Sequence, residues 1–193
     1  MSKQKQHFDV KALAQIAIFT ALLVVCAQIT VPMPFGVPLT MQTFGILLAG
    51  SILGASKGFI AVFIYLLLGA LGLPVLQGFN GGLSFFFGPT GGFLFSFPLM
   101  PLAIGLGHIA ARKIKHTSGK YLCNVLSMVL AVVINLSSGM LFFAWTMETS
   151  IGHAFQFTVL PFILVEAIKI VGATILGYNV RTALLRGKLI QEA

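Results

Sequence analysis

Glu166 and Lys169 stand three positions apart in the apolar stretch LVEAIKIVG, Leu164 to Gly172. In a helix that spacing puts both side chains on one face. A carboxylate beside an ammonium offers an acceptor and a donor with no net charge. Such a pair suits a neutral polar group carrying both N–H and C=O, as a cyclic urea does. It would equally serve an anionic ligand paired directly with Lys169 and moderated by Glu166, a proton relay, or an ion pair that only locks helix packing. A charge inside a membrane span costs about 2.5–3.5 kcal/mol on insertion scales, so such residues usually face an interior cavity and usually act. Catalysis would need more partners than this chain supplies: its acidic residues are Asp9, Glu148, Glu166 and Glu192. H-E-x-x-H, G-x-S-x-G and G-x-x-x-x-G-K-[ST] are all missing, so an enzyme and an ATPase are both disfavoured. His7, His108, His116 and His153 share no metal-ligand spacing, and neither a metal nor a cofactor is implied.

The elements that position this pair must be membrane helices. Of 193 residues 58% are hydrophobic and 8% charged, and the mean hydropathy is +1.00. The solvent is therefore mostly lipid, and the chain reads as a single all-α membrane domain over residues 1–193. Six spans are predicted, at about 10–31, 44–54, 57–73, 91–111, 121–146 and 156–180. The second is short enough that it must be tilted or buried among the others, and residues Gly54 to Gly58 form the turn to the third. The sixth enters from outside near Phe157 and tolerates Pro161 in its first turns, which puts Glu166 and Lys169 roughly 12–18 Å below its outer end. The basic amino end runs into a span without an A-x-A-like cleavage site, so it is expected to be retained. Cys26 and Cys123 lie near opposite span ends and should stay unpaired. The glycosylation pattern at Asn135-Leu136-Ser137 falls mid-span and is set aside.

The net charge of +8 invites a nucleic-acid reading, but aromatic-interleaved basic motifs are missing. Topology accounts for the charge instead. With a cytoplasmic amino terminus, eleven of the twelve Lys and Arg fall on one side: Lys3, Lys5, Lys11, Lys57, Arg112, Lys113, Lys115, Lys120, Arg181, Arg186 and Lys188. The outward loops, about 32–43, 74–90 and 147–155, contain no Lys or Arg, which places both termini in the cytoplasm. Loop one carries Pro32, Pro34 and Pro38, with Thr40 and Gln42 as polar groups. Loop two sets Gly78, Gly81, Gly82, Gly88, Gly91 and Gly92 around Asn80, Thr90 and three phenylalanines. It is too apolar to float in water and is expected to fold back as a lid, its glycines allowing close backbone approach and its phenylalanines forming walls. The bland reading is that those glycines only turn corners.

Three stretches, PFGVPLTMQ (34–42), GGLSFFFGPTGGF (81–93) and LPFILVEAIK (160–169), resemble the substrate-binding S components of energy-coupling-factor vitamin transporters, in particular the biotin-specific BioY branch. The resemblance implies a six-helix S-component fold in a prokaryotic cell membrane and high-affinity capture of biotin from outside. It also implies delivery with a membrane T component and two ATPase subunits. On these motifs Asn80, Glu166 and Lys169 correspond to contacts to the bicyclic ureido end. Thr40 and Gln42 correspond to the loop that closes over the ligand, whose carboxylate should lie nearer the outer surface. Gly82 and Phe93 complete the candidate binding set. Two positions depart from the pattern: Glu166 stands where Asp is more frequent, and Phe93 lacks the hydroxyl of a frequent Tyr. Ala17 and Ala21 form a small-xxx-small pair similar to the element by which S components dock on the T component. The competing function is a self-sufficient secondary carrier using Glu166 and Lys169, which would usually show internal repeats that this chain lacks.

Overall fold

The structure is a computed structural model describing residues 10–33, 36–112, 114 and 116–187. Lys3, Lys5, His7, Asp9, Pro34, Phe35, Lys113, Lys115, Lys188 and Glu192 lie outside the described residues, together with the expectations placed on them. The chain is mostly helical. Its elements are α1 (Val10–Gln28), the short strands β1 (Thr30–Val31) and β2 (Leu39–Thr40), α2 (Gln42–Leu53), α3 (Ala55–Ala70), α4 (Ser84–Phe87), α5 (Gly91–Ser96), α6 (Leu99–Arg112), α7 (Thr117–Thr146), α8 (Ile151–Thr158) and α9 (Ile163–Arg186). Among the described residues four segments are long and apolar enough to cross a membrane: Val10–Gln28, Gly91–Ala111, Ser118–Thr146 and Ile163–Arg186. Two shorter apolar helices, Gln42–Leu53 and Ala55–Ala70, accompany them.

Helix α2 is the hub. Its apolar residues go all the way round, so it can be stable only inside the bundle, and every residue except Phe44 is buried. It packs against α1, α3, α6 and α9. The turn to α3 is tighter than expected. Gly54 alone makes it, at φ 83°, a left-handed conformation that costs a side chain dearly. Ala55 to Gly58 already belong to α3, and Gly58 is a packing residue whose missing Cβ leaves room for Pro101 and the Ala49 carbonyl. Arg181 donates to the Ser51 and Ile52 carbonyls at 3.3 and 2.9 Å, satisfying groups that the end of α2 leaves open.

Three helix boundaries depart from expectation, each for a local reason. α1 stops at Gln28, because β-branched Thr30 and Val31 precede Pro32 and favour extended backbone. Thr30 pairs with Thr40 and Val31 with Leu39 in an antiparallel ladder. The fourth span is divided into α5 and α6 at Phe97–Pro98, where proline supplies no N–H. The sixth starts later and ends later than expected. α8 is a separate helix capped by Ser150, whose hydroxyl accepts from His153 N at 3.3 Å, and the turn holding Pro161 precedes α9. Glu166 therefore occupies the first turn of α9, not a position two to three turns inside a continuous helix.

Two features bind together the part of the bundle that carries loop two. Gly91 and Gly92 of α5 lie against α7, where a Cβ on Gly92 would collide with Phe142, Ser138 and Gly139, and Ser138 Oγ donates to the Gly92 carbonyl at 2.9 Å. Gln28, at the end of α1, donates to the Leu76 carbonyl at 3.1 Å and accepts from Phe79 N at 2.8 Å, tying loop two to α1. α7 spans 30 residues. Exposed Trp145 sits near one end and the Tyr121–Tyr178 ring pair near the other, about 36 Å apart along the axis, the separation of two membrane–water interfaces. Replacing Gly92 by Leu should force α5 from α7 and cost about 1–3 kcal/mol. The fluorescence of Trp145, the single tryptophan, would report the lowered melting temperature in detergent.

Candidate functional site

Lys169 has three N–H donors, and the structure gives each an acceptor. Nζ donates to Glu166 Oε1 at 2.7 Å, to Thr43 Oγ1 at 2.9 Å and to the Thr40 carbonyl at 2.7 Å. Thr43 in turn donates its hydroxyl proton to the same Glu166 Oε1 at 2.8 Å. The two charged side chains are each 5% exposed. Burial at that level raises the cost of an unpaired charge, and pairing plus full hydrogen bonding offsets it. The arrangement is lopsided: Glu166 Oε1 accepts twice, whereas Oε2 is buried with no hydrogen-bond partner among the described residues. A carboxylate oxygen without a protein donor, facing a cavity, is an acceptor for a ligand's N–H or O–H.

Four elements bring this about. α9 supplies Glu166 and Lys169, α2 supplies Thr43 from its first turn, and β2 supplies the Thr40 carbonyl. Thr40 is fixed by its hydroxyl, which donates to Gln42 Oε1 at 2.9 Å. Gln42 is fixed by Tyr65 of α3, whose hydroxyl accepts from Nε2 at 2.6 Å. The pair thus lines a small cavity of about 40 Å³ with Thr40, Gln42, Phe93, Asn135 and Phe162. That is space for about three waters at ~10–15 Å³ each. The Phe93 and Phe162 rings stack at 6.4 Å and wall it on the apolar side.

A second cavity of about 750 Å³ lies beside it. Pro38, Gln77 and Thr90 line both, so loops one and two form the partition. Asn80 lines this outer cavity, exposed, its Nδ2 donating to the Gln77 carbonyl at 2.9 Å; it is not beside Glu166 and Lys169. Gly82 lines neither cavity. Its φ of 105° and its N–H bond to the Gly69 carbonyl at 2.7 Å shape loop two. Of the phenylalanine run, Phe85 lines the outer cavity, Phe86 is buried and Phe87 is 67% exposed. Ala17 and Ala21 line neither cavity and lie on an exposed face of α1.

Two site residues carry no obvious signal in the sequence. Thr43 is one of two polar residues at the head of an apolar helix, and only its contact with α9 gives it a role. Asn135, set aside as a mid-span glycosylation pattern, is 2% exposed. It donates to the Phe93 carbonyl at 3.1 Å and Ser96 Oγ at 2.8 Å, fixing the wall of the inner cavity. A polar side chain in the middle of an apolar span was the available clue.

The family model for the BioY family matches residues 1–186. The chain belongs to the BioY family. Among BioY relatives, a probable biotin transporter of Pyrococcus horikoshii is 37% identical over 168 residues, covering 86% of this chain and 94% of the relative. A biotin transporter of Thermotoga maritima is 37% identical over 172 residues, covering 89% and 96%. The fold is similar to the crystal structure of the S component for biotin from an energy-coupling-factor-type ABC transporter, with a TM-score of 0.80 and 27% identity over 94% of this chain and 95% of that one. The resemblance read from the three stretches is borne out. These relatives are named as transporters, in agreement with the reading of the chain as something other than an enzyme, and with several spans it is a multi-pass membrane protein.

Removing one partner of the buried pair should be far worse than removing both. Glu166→Gln or Lys169→Met alone should cost about 3–5 kcal/mol by stranding a charge, and the double variant should recover most of that loss. Melting in detergent across this double-mutant cycle checks it.

Proposed function

We propose that this BioY protein is a high-affinity biotin-binding S component, which captures biotin from outside and delivers it with a T component and ATPase subunits. The observation that carries the reading is the bare Glu166 Oε2 beside a fully committed Lys169, in a family whose relatives are named biotin transporters. A ureido N–H would give that oxygen its missing donor. Lys169 has no proton left over in this arrangement, so a ureido carbonyl would take one now held by the Thr40 carbonyl. Ligand entry is thereby linked to movement of loop one, in keeping with an inner cavity smaller than a bicyclic ring system. Thr40 and Gln42 act in this reading as the hinge of that loop, Phe93 as the wall, and Asn80 as a group reached from the outer cavity. Gly82 shapes the loop that carries Asn80.

In the proposed topology α2 and α3 join the four long spans as the remaining two of six helices, with loops one and two as outer lids and both termini cytoplasmic. Lys57, at the start of α3, and Arg181, which donates to the Ser51 and Ile52 carbonyls at the end of α2, lie at the same end of the bundle, which supports that orientation in a cell membrane. Exposed Ala17 and Ala21 offer a smooth strip on which a T-component helix could lie closely. A self-contained proton relay is disfavoured, because among the described residues lining the inner cavity Glu166 and Lys169 are the only acid and base.

Calorimetry on the purified chain should give one-to-one biotin binding. Thr43→Val, which preserves shape but frees the geometry of both charges, should weaken it about tenfold. A well-folded chain that ignores biotin would end this reading. Ala17→Leu with Ala21→Leu should leave binding intact and abolish both co-purification with the T component and ATP-dependent uptake.

A further inference from the structure

The two cavities differ in what they demand. The inner one holds a charged pair with a single free acceptor in about 40 Å³. The outer one, about 750 Å³, lies in the range of cavities that hold drug-sized ligands. Its described lining comes entirely from residues 30–38 and 77–90. No Asp, Glu, Lys or Arg occurs from Ala12 to Ser56 or from Gly58 to Ala111, so the outer cavity has no counter-ion for a carboxylate. Its polar side chains, Thr30, Gln77, Asn80, Ser84 and Thr90, are all neutral. Thr30 Oγ1 is buried there with no partner among the described residues.

Backbone groups do not replace the missing cation. Of the lining residues, Pro32, Pro38 and Pro89 have no N–H and Phe85 gives its own to the Gly82 carbonyl; any other backbone amide there brings no full charge and can donate to a carboxylate or a carboxamide oxygen alike. α4 is a four-residue helix, too short to build an appreciable dipole. A carboxylate moved here from water loses hydration without gaining a charge partner. A carboxamide loses less, and hydroxyl and amide side chains can both donate to it and accept from it.

We propose that the outer cavity accepts amide-linked derivatives of the ligand as readily as the free acid, making the protein selective for the bicyclic end and indifferent to the charge of the tail. The substrate class is then biotin together with biotinyl amides, including biotin joined to the amine of a lysine. This rests on the biotin reading above, with the ureido end at Glu166 and the tail passing the partition formed by Pro38, Gln77 and Thr90.

The test is calorimetry on the full chain in detergent with three probes: biotin, biotin carboxamide and Nε-biotinyl-lysine. The expected result is dissociation constants for the two amides within about threefold of that for biotin. Ser84→Lys, which adds a cation to the outer cavity, should shift preference toward the free acid by about twofold to fivefold, the worth of an exposed ion pair. Tight biotin binding with amides more than about tenfold weaker would overturn the inference and leave the biotin reading standing. A Ser84→Lys chain that binds biotin but discriminates no differently from wild type would overturn the placement of the tail. Failure of biotin itself to bind folded wild-type protein would remove the reading on which the inference rests.

Discussion

An ammonium buried in an apolar bundle must have an acceptor for each of its hydrogens, and for Lys169 those acceptors come from three separate parts of the chain. Glu166 lies on the same helix, Thr43 on α2 and the Thr40 carbonyl on β2. Once Lys169 is placed, α9 cannot slide along α2 and loop one cannot lift without leaving a donor unpaired, which is costly at this burial. The same constraint explains the supporting shell. Thr40 is held by Gln42 and Gln42 by Tyr65, so α3 joins the arrangement through neutral groups alone. The Lys169 ammonium and the Thr43 hydroxyl converge on one oxygen of Glu166, and the other has no partner among the described residues.

Around that centre the chain separates two kinds of space. The inner cavity is small, walled by aromatic rings and polar at one end, a setting in which a single unmatched hydrogen bond discriminates strongly. The outer cavity is wide and neutral, bounded by loops whose glycines and prolines fix the backbone. Gly91 and Gly92 bring α5 against α7, whereas Gly78 and Gly82 take left-handed conformations in the loop itself.

Much of this was legible before any coordinates. Hydropathy located the four long apolar segments because a membrane helix must be apolar along its length. The charged pair stood out because the other charges fall toward the ends of the membrane segments, and three motifs indicated the family. Boundaries were read less well. The last span was expected to run from about Phe157, but α8 and α9 are distinct around Pro161, since both segments are equally apolar and hydropathy cannot register the break. Gly58 was assigned to a turn although it belongs to a helix, because a glycine that admits a neighbour looks like one that reverses the chain.

What the sequence by itself determined was the solvent, the family and the identity of the two charged residues, all properties of local composition. The tertiary structure decided how those charges are satisfied, because their partners lie more than 120 positions away in sequence. It decided that Thr43 and Asn135 line the inner cavity, that Asn80 lines the outer one, and that one oxygen of Glu166 has no partner among the described residues. Hydrogen bonds between distant segments depend on how helices cross and on the direction in which each side chain leaves its helix, and neither is encoded in the residues of a single span.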